Sequence, residues 1–456
     1  MVSLNMARLI AAAALAFAAH ATRAQLPKVE LWAGGLSDLF SHGRISVDGG
    51  PAMDAELRWR GASAKRYSKK SYAVKLLAED GGKLDTTLLG MREDNSWILD
   101  AMAVDKARMR NRVSTDLWLD MSRKSHIADL KPGMVNGTRG KFVEVWLNGV
   151  YEGIYCLTEK IDRKQLKLRK AEKGSVRGVL YKIVNHGFMN HKDVEHYGYS
   201  PGAGTWDAWE LQYPGSEDSR EDAWWPLAET EHWLNHSDEE ALADSFALKF
   251  DLPVWVDYTV FVDMIFGEDN ESKNFYTYLY DITGDDRRLG IAPWDMDHSW
   301  GRRYDGAEQP PEGMLHWEWH GAFKHIVGDT GVAPGQCSAR YAELRAGLFT
   351  TEKLKSRFAR YFDLFRKSGA AKRETSRWSG KDGIELDFDA EQRLIEEWID
   401  RRIAFLDSAY GYSAREGHKT GPCAVYDLCG RMVGKGGTKN LPPGIYVSEG
   451  RKILVR

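Results

Sequence analysis

Alternation of apolar and polar positions marks the first part of the chain as strands. It is visible in Ile45-Ser46-Val47, in Glu56-Leu57-Arg58-Trp59 and in Ser71-Tyr72-Ala73-Val74-Lys75-Leu76, the period expected where one face of a sheet is buried. Gly49-Gly50-Pro51 and Gly61-Ala62-Ser63 punctuate these strands as turns. Over residues 105–121 the period lengthens, and Val113, Leu117 and Met121 at fourfold spacing predict a helix with one buried stripe. Residues 142–147 and 151–157 then read as a hairpin closed by Asn148-Gly149, a pair that accepts the positive φ values of a tight primed turn.

Residues 185–240 are rich in Gly, His, Asp, Glu and Trp and read as an insertion. A helical pattern follows over 237–266, then a second hairpin, 275–280 with 289–294, joined by Thr283-Gly284-Asp285-Asp286. Beyond Pro310-Pro311 the chain is mostly helical, and Ile395, Ile399, Ile403 and Leu406 form the stripe of its last long helix. A polar linker at 413–421 precedes a short β-like tail at 422–456. Strands first and helices later predict an α+β, two-lobed arrangement.

Composition narrows the class. Of the 456 residues, 43% are hydrophobic and 28% charged, as in an ordinary globular protein. The net charge of -3 gives no reason to expect nucleic acid or an anionic membrane as partner. Four scattered Cys, at 156, 337, 423 and 429, have neither zinc-like spacing nor the density of a disulfide framework. The 17 Trp are many; core filling is the first expectation, carbohydrate or nucleotide contact the second.

At the N-terminus, Arg8 precedes an apolar run from Leu9 to Ala19, and small residues continue to Ala24. The run is too short to span a bilayer and fits an export signal at 1–24, cleaved after Ala24. The expected mature protein is periplasmic, surface-held or secreted, with no transmembrane segment, and monomeric. The residues from 25 to 412 then form the main domain.

The chemistry concentrates in Gly267-Glu268-Asp269-Asn270-Glu271-Ser272-Lys273-Asn274, a connection between helix and strand. Asp269 and Asn274 stand five apart, the spacing at which a kinase catalytic loop carries its proton-handling Asp and metal-holding Asn. The following hairpin ends in Pro293-Trp294-Asp295-Met296-Asp297, where residues two apart in an extended segment face one side. Carboxylate and amide oxygens suit Mg²⁺ or Mn²⁺, not zinc. The competing reading is structural: Asp269 and Asn270 capping a turn, Asp295 and Asp297 accepting backbone N–H groups.

Other constellations carry less. His186, His191 and His196 match no single face and read as surface residues, while His316 and His320 lie among aromatics without a zincin Glu. Neither a Gly-x-Ser-x-Gly elbow nor a Walker A sequence occurs.

Several motifs in order resemble the CotH kinase family across roughly residues 40–410. They are Arg60-Gly61-Ala62-Ser63, Lys69-Lys70-Ser71-Tyr72, Met109-Arg110-Asn111, Val145-Trp146-Leu147-Asn148-Gly149, Glu159-Lys160-Ile161-Asp162, Asp269-Asn270 with Lys273-Asn274-Phe275-Tyr276, and Trp294-Asp295-Met296-Asp297. The resemblance implies an atypical protein-kinase-like fold, with a β-rich N-lobe and a helical C-lobe, that uses ATP and a divalent metal to phosphorylate Ser or Thr of an extracytoplasmic protein substrate. It implies Asp269 as the catalytic aspartate and Asn274, Asp295 and Asp297 as metal partners. A cation is needed near the phosphates; Lys75 is the first choice, with Lys70, Arg110 and Lys160 as seconds. Glu159 either orients that cation or is a hairpin-end acid, and Trp294 either flanks the nucleotide or packs. The tail resembles the end of a type IX secretion sorting domain, the alternative being a packed C-terminal hairpin. Two other function classes stay open: a pseudokinase acting as a surface binding protein, and a metal-dependent hydrolase.

Overall fold

A computed structural model describes residues 25–172, 175–185, 204–206, 208–215, 221–327, 331–413, 424–427, 432–435, 441–448 and 451–455. The expected signal, most of the 413–421 linker and His186, His191 and His196 lie outside the described residues. The described chain is mixed α and β, strand-rich first and helix-rich later, and divides into two compact units.

The first unit takes residues up to Arg112, Arg139–Lys160 and Lys355–Leu394. Its strands are β1 (Lys28–Ala33), β2 (Ser41–Val47), β3 (Met53–Arg60), β4 (Ser71–Leu77), the short pair β5 (Thr86–Thr87) and β6 (Glu93–Asp94), β7 (Ser96–Asp100), β8 (Gly140–Leu147) and β9 (Val150–Thr158). All but the short pair close into a barrel of order β1-β2-β3-β4-β7-β9-β8, antiparallel except where β1 meets β8. Closure leaves no unpaired edge. The inward positions of the alternating strands, among them Val29, Leu31, Ile45, Leu57, Val74, Leu76, Leu99, Val143 and Leu157, fill the interior. The β8–β9 turn is the expected one, with Asn148 at φ 51° and Gly149 at φ 81°.

The helix expected over 105–121 starts later, as α1 (Arg110–Met121). The cause is local: the Asp105 carboxylate accepts the backbone N–H of Met109 and Arg110 at 2.7 Å each, while Arg108 sits at φ 57°. Asp105 therefore caps the helix from outside it.

The second unit holds Val113–Thr138, Ile161–Leu354 and the chain from Ile395 onward. Its sheet runs β11-β12-β10-β13-β14, built from β10 (Val179–Ile183), β11 (Thr205–Trp206), β12 (Trp209–Tyr213), β13 (Phe275–Leu279) and β14 (Gly290–Pro293). Its helices include α2 (His126–Leu130), α3 (Glu221–His236), α4 (Glu239–Lys249), α5 (Leu252–Ile265), α6 (Gly321–Ile326) and α7 (Gln336–Arg345). The single helical pattern expected over 237–266 is thus two helices, broken at Phe250-Asp251. The division between units falls inside α1, α8 (Thr351–Lys367) and α10 (Phe388–Ala409), while α9 (Ala370–Trp378) belongs to the first. Ile395, Ile399, Ile403 and Leu406 on α10 are buried, as their spacing predicts. A four-stranded sheet, β15 (Ala424–Tyr426), β16 (Met432–Lys435), β17 (Gly444–Ser448) and β18 (Arg451–Val455), ends the chain.

Every residue of α5 except Pro253 is buried, as an all-round apolar helix requires. Its two acids are paired accordingly. Asp257 takes Arg340 at 2.7 Å and Arg123 at 2.8 Å, and Asp263 accepts from Trp317 at 3.0 Å and from Tyr410 at 2.5 Å. Tryptophans are mostly core: Trp97, Trp118, Trp209, Trp224, Trp255 and Trp300 are fully buried.

Candidate functional site

The fully packed helix α5 ends at Phe266, in the left-handed conformation at φ 50°. This stops the helix and turns the chain into a 3-10 turn at Glu268–Glu271. The Tyr258 hydroxyl on α5 donates to the Asn270 carbonyl at 2.7 Å, anchoring the turn to the helix. The Asn270 amide then donates to two carbonyls, Asn274 at 3.1 Å and Trp294 at 2.9 Å. One buried side chain thereby ties the 269–274 loop to the end of β14. Pairing of β13 with β14, Phe275 opposite Pro293, and a Trp294 N–H to Asn274 carbonyl bond of 2.9 Å complete the junction.

This architecture puts Asp269, Asn274, Asp295 and Asp297 at one end of one hairpin. Asn274 and Asp295 both adopt positive φ, 59° and 57°. Asn and Asp tolerate this region better than other side chains, but not without strain. It also corrects the reason for pairing Asp295 with Asp297. The strand β14 stops at Pro293, so pleating does not align them; the left-handed residue re-aims the chain. Asp295 is exposed, Met296 is buried and Asp297 is half-buried, so the two acids leave the core on either side of an apolar anchor.

Two basic side chains missed by sequence reasoning converge on Asp269. Lys273 Nζ lies 3.1 Å from its Oδ1, and His298 Nδ1 lies 3.2 Å from its Oδ2. His298 Nε2 is also 3.6 Å from Asp297 Oδ1. Burial alone would raise the Asp269 carboxyl, but His298 and Lys273 outweigh it and hold the group below the usual carboxylate range. Burial likewise disfavours the His298 imidazolium; Asp297, then Asp269 and Asp295, overcome it and push its pKa up to about 9. The i,i+4 spacing of Lys273 was a usable signal; nothing in a lone His after Asp297 announced its two acids.

Among the described residues no three His, Cys, Asp or Glu side chains gather as a ready-made metal cage. Two carboxylates and one amide are nonetheless the donor set a Mg²⁺-like cation uses when waters and phosphate oxygens complete its shell. The residues present fit such a cation on donor chemistry.

The proposed phosphate-side residues lie in the first unit, except Trp294. Lys75 on β4 is 43% exposed, 3.6 Å from Glu56 and 3.9 Å from the Phe40 ring centre. Lys70 donates to the carbonyls of Lys65 and Tyr67 at 2.5 Å each. Arg110 is wholly buried between Asp105 at 2.6 Å and Glu391 at 2.7 Å. Lys160 reaches Ser96 Oγ at 3.4 Å. Glu159 is buried and accepts the backbone N–H of Arg92 at 3.0 Å and of Arg139 at 2.9 Å. Trp294, in the second unit, meets Tyr276 edge to face at 5.7 Å. The loop containing His316 and His320 joins the other end of the turn: Glu271 accepts the His316 N–H at 3.0 Å and stands 3.5 Å from His320.

The sequence matches the family described as CotH kinase protein over residues 57–406. It is 24% identical over 254 residues to Inner spore coat protein H of Bacillus subtilis (strain 168), covering 56% of this chain. That match spans 61% of the relative's length, less than two thirds of it. The chain belongs to the CotH kinase family.

Proposed function

We propose that this protein is an exported, metal-dependent kinase that transfers phosphate from ATP to Ser or Thr of a protein outside the cytoplasm. The observation that carries this is the Asp269 carboxylate, held ionised by Lys273 and His298 in the loop that also bears Asn274. An ionised carboxylate fixed at both oxygens is suited to orient a hydroxyl and accept its proton. Asn274, Asp295 and Asp297 would hold the divalent cation, which supplies charge neutralisation to the phosphates when bound. Of the cations weighed for the phosphates, Arg110 is buried against Asp105 and Glu391, while the Lys75 side chain is 43% exposed, and Lys75 keeps first place. Family membership and a spore-coat relative support the reading. So does the apolar run near the N-terminus.

The test is direct incubation of purified protein with labelled ATP and Mg²⁺ or Mn²⁺, beside Ser-rich peptides. Phosphate on peptide or on the protein itself is the expected result. Metal-dependent nucleotide binding without transfer would instead mark a pseudokinase.

A further inference from the structure

We propose that His298 is a positioning residue that links the Asp269 carboxylate to the metal-holding segment and competes with the cation for Asp297. The inference rests on the kinase reading of the site. Its geometry is that of a bridge: Nδ1 stands 3.2 Å from Asp269 Oδ2, and Nε2 stands 3.6 Å from Asp297 Oδ1.

The backbone carrying this ring is pinned on both sides. Met296 is buried before it, and Ser299 and Trp300 are fully buried after it. Ser299 Oγ donates to the Met296 carbonyl at 2.6 Å, the Trp300 N–H donates to the Ile265 carbonyl at 2.9 Å, and the Trp300 indole N–H reaches Ser114 Oγ at 2.8 Å. A side chain rooted between such anchors has little freedom, so its two contacts act as a fixed strut.

The two ends of the strut have different consequences. At Asp269, Lys273 holds one oxygen and His298 the other, which together fix the plane of the carboxylate. Removing His298 frees that plane, and a group meant to meet a substrate hydroxyl loses its orientation. At Asp297, the ring stands beside Oδ1 of a carboxylate that would hold a divalent cation. The ring and the cation would then compete for Asp297, so removing His298 would leave that carboxylate more available to the metal. Loss of the ring should therefore tighten metal binding while slowing transfer. A residue that merely supports the fold would weaken both.

The contacts can be separated by substitution. Asparagine places an amide nitrogen near the position of Nδ1 and has nothing at Nε2, whereas alanine removes both. Mn²⁺ alone is titrated by calorimetry into wild type, His298→Ala and His298→Asn, with melting temperatures recorded, and transfer from ATP is then assayed. For His298→Ala, Mn²⁺ affinity is expected to rise about threefold or more and turnover to fall about 10- to 100-fold, the range typical of residues that orient ligands. His298→Asn is expected to share the tighter Mn²⁺ binding and to keep turnover within about threefold of wild type.

Joint loss of metal affinity and transfer in a folded His298→Ala, or no change in either, overturns the inference. An Asn variant as slow as Ala removes the link to Asp269. If His298→Ala fails to fold, Mn²⁺ binding by His298→Asn decides the competition at Asp297. Wild type that binds Mn²⁺ without transferring phosphate sinks the kinase reading, while the metal titrations still decide that competition. Wild type that does neither overturns both readings.

Discussion

Lys69 Nζ and Glu374 Oε1 meet at 2.7 Å although 305 positions separate them, and both side chains are buried. The same Glu374 oxygen receives Arg108 Nε at 2.7 Å, and its other oxygen accepts the Ile154 N–H at 2.7 Å. Gly153 makes room for this: a Cβ there would lie 2.2 Å from Glu374 Oε2. The cluster fastens α9 to β9. Leaving one charge of such a group unpaired is costly, so Glu374→Ala is expected to destabilise the protein by about 3–5 kcal/mol in chemical denaturation. A loss under about 1 kcal/mol would show that the pair is not the fastening.

The same cluster sets an acid limit. Burial would raise the Glu374 carboxyl, but Lys69 and Arg108 hold it below its ordinary value. A folded-state pKa below the unfolded one means the unfolded chain binds more protons between the two, so stability falls as pH drops through that window. Denaturation midpoints of the wild type are expected to decline below about pH 4.5, the ordinary glutamate range. In Glu374→Gln the decline should be shallower.

Asp263 has the opposite sign. Burial raises its pKa to about 6, only partly offset by Tyr410, Arg402 and Trp317. Here the folded state holds the proton more tightly, so this group's contribution is present below the unfolded pKa near 4 and is lost as pH rises to about 6. The stability advantage of wild type over Asp263→Asn should shrink across that interval. An advantage that grows with pH there would contradict the assignment.

The strained positions predict a trade between stability and function. With Asp295 at φ 57°, Asp295→Gly should relieve strain and stabilise the fold by up to about 1 kcal/mol. It should at the same time weaken metal-dependent nucleotide binding. Thermal unfolding and calorimetry on one preparation check both halves; a stability loss together with intact binding would mean the residue is structural.

Asn270 supports the junction itself. Asn270→Ala removes the amide hydrogen bonds to two carbonyls, those of Asn274 and Trp294, of which Asn274 keeps the Trp294 N–H, at a cost of about 1–3 kcal/mol. Transfer should fall as well, because the loop and the β14 end lose their common tie. Unchanged denaturation midpoints would refute this role.

Much of the fold could be read from the residues because its signals are local. Asn148-Gly149 dictated its hairpin, and the Ile395, Ile399, Ile403, Leu406 stripe dictated its buried face. The 267–274 loop stood out because acids and amides crowd a helix-to-strand connection. What escaped depends on distance along the chain. No window of sequence joins Lys69 to Glu374, and His298 draws its meaning from Asp269, 29 positions earlier. The late start of α1 was hidden by a carboxylate, Asp105, that caps a helix from five residues before its first turn. The turn at Asp295 was hidden because a left-handed residue after a strand leaves no periodic trace.

The central claim is tested most directly by comparing Asp269→Ala and Asp295→Ala with wild type in one assay of metal-dependent ATP binding and phosphate transfer. The account predicts that Asp269→Ala binds ATP with Mn²⁺ as wild type does but transfers at a rate lower by about 100-fold or more, in the range for a lost proton acceptor. Asp295→Ala is predicted to lose metal-linked ATP binding and transfer together. Transfer by Asp269→Ala at the wild-type rate, or wild type with neither binding nor transfer, would contradict it.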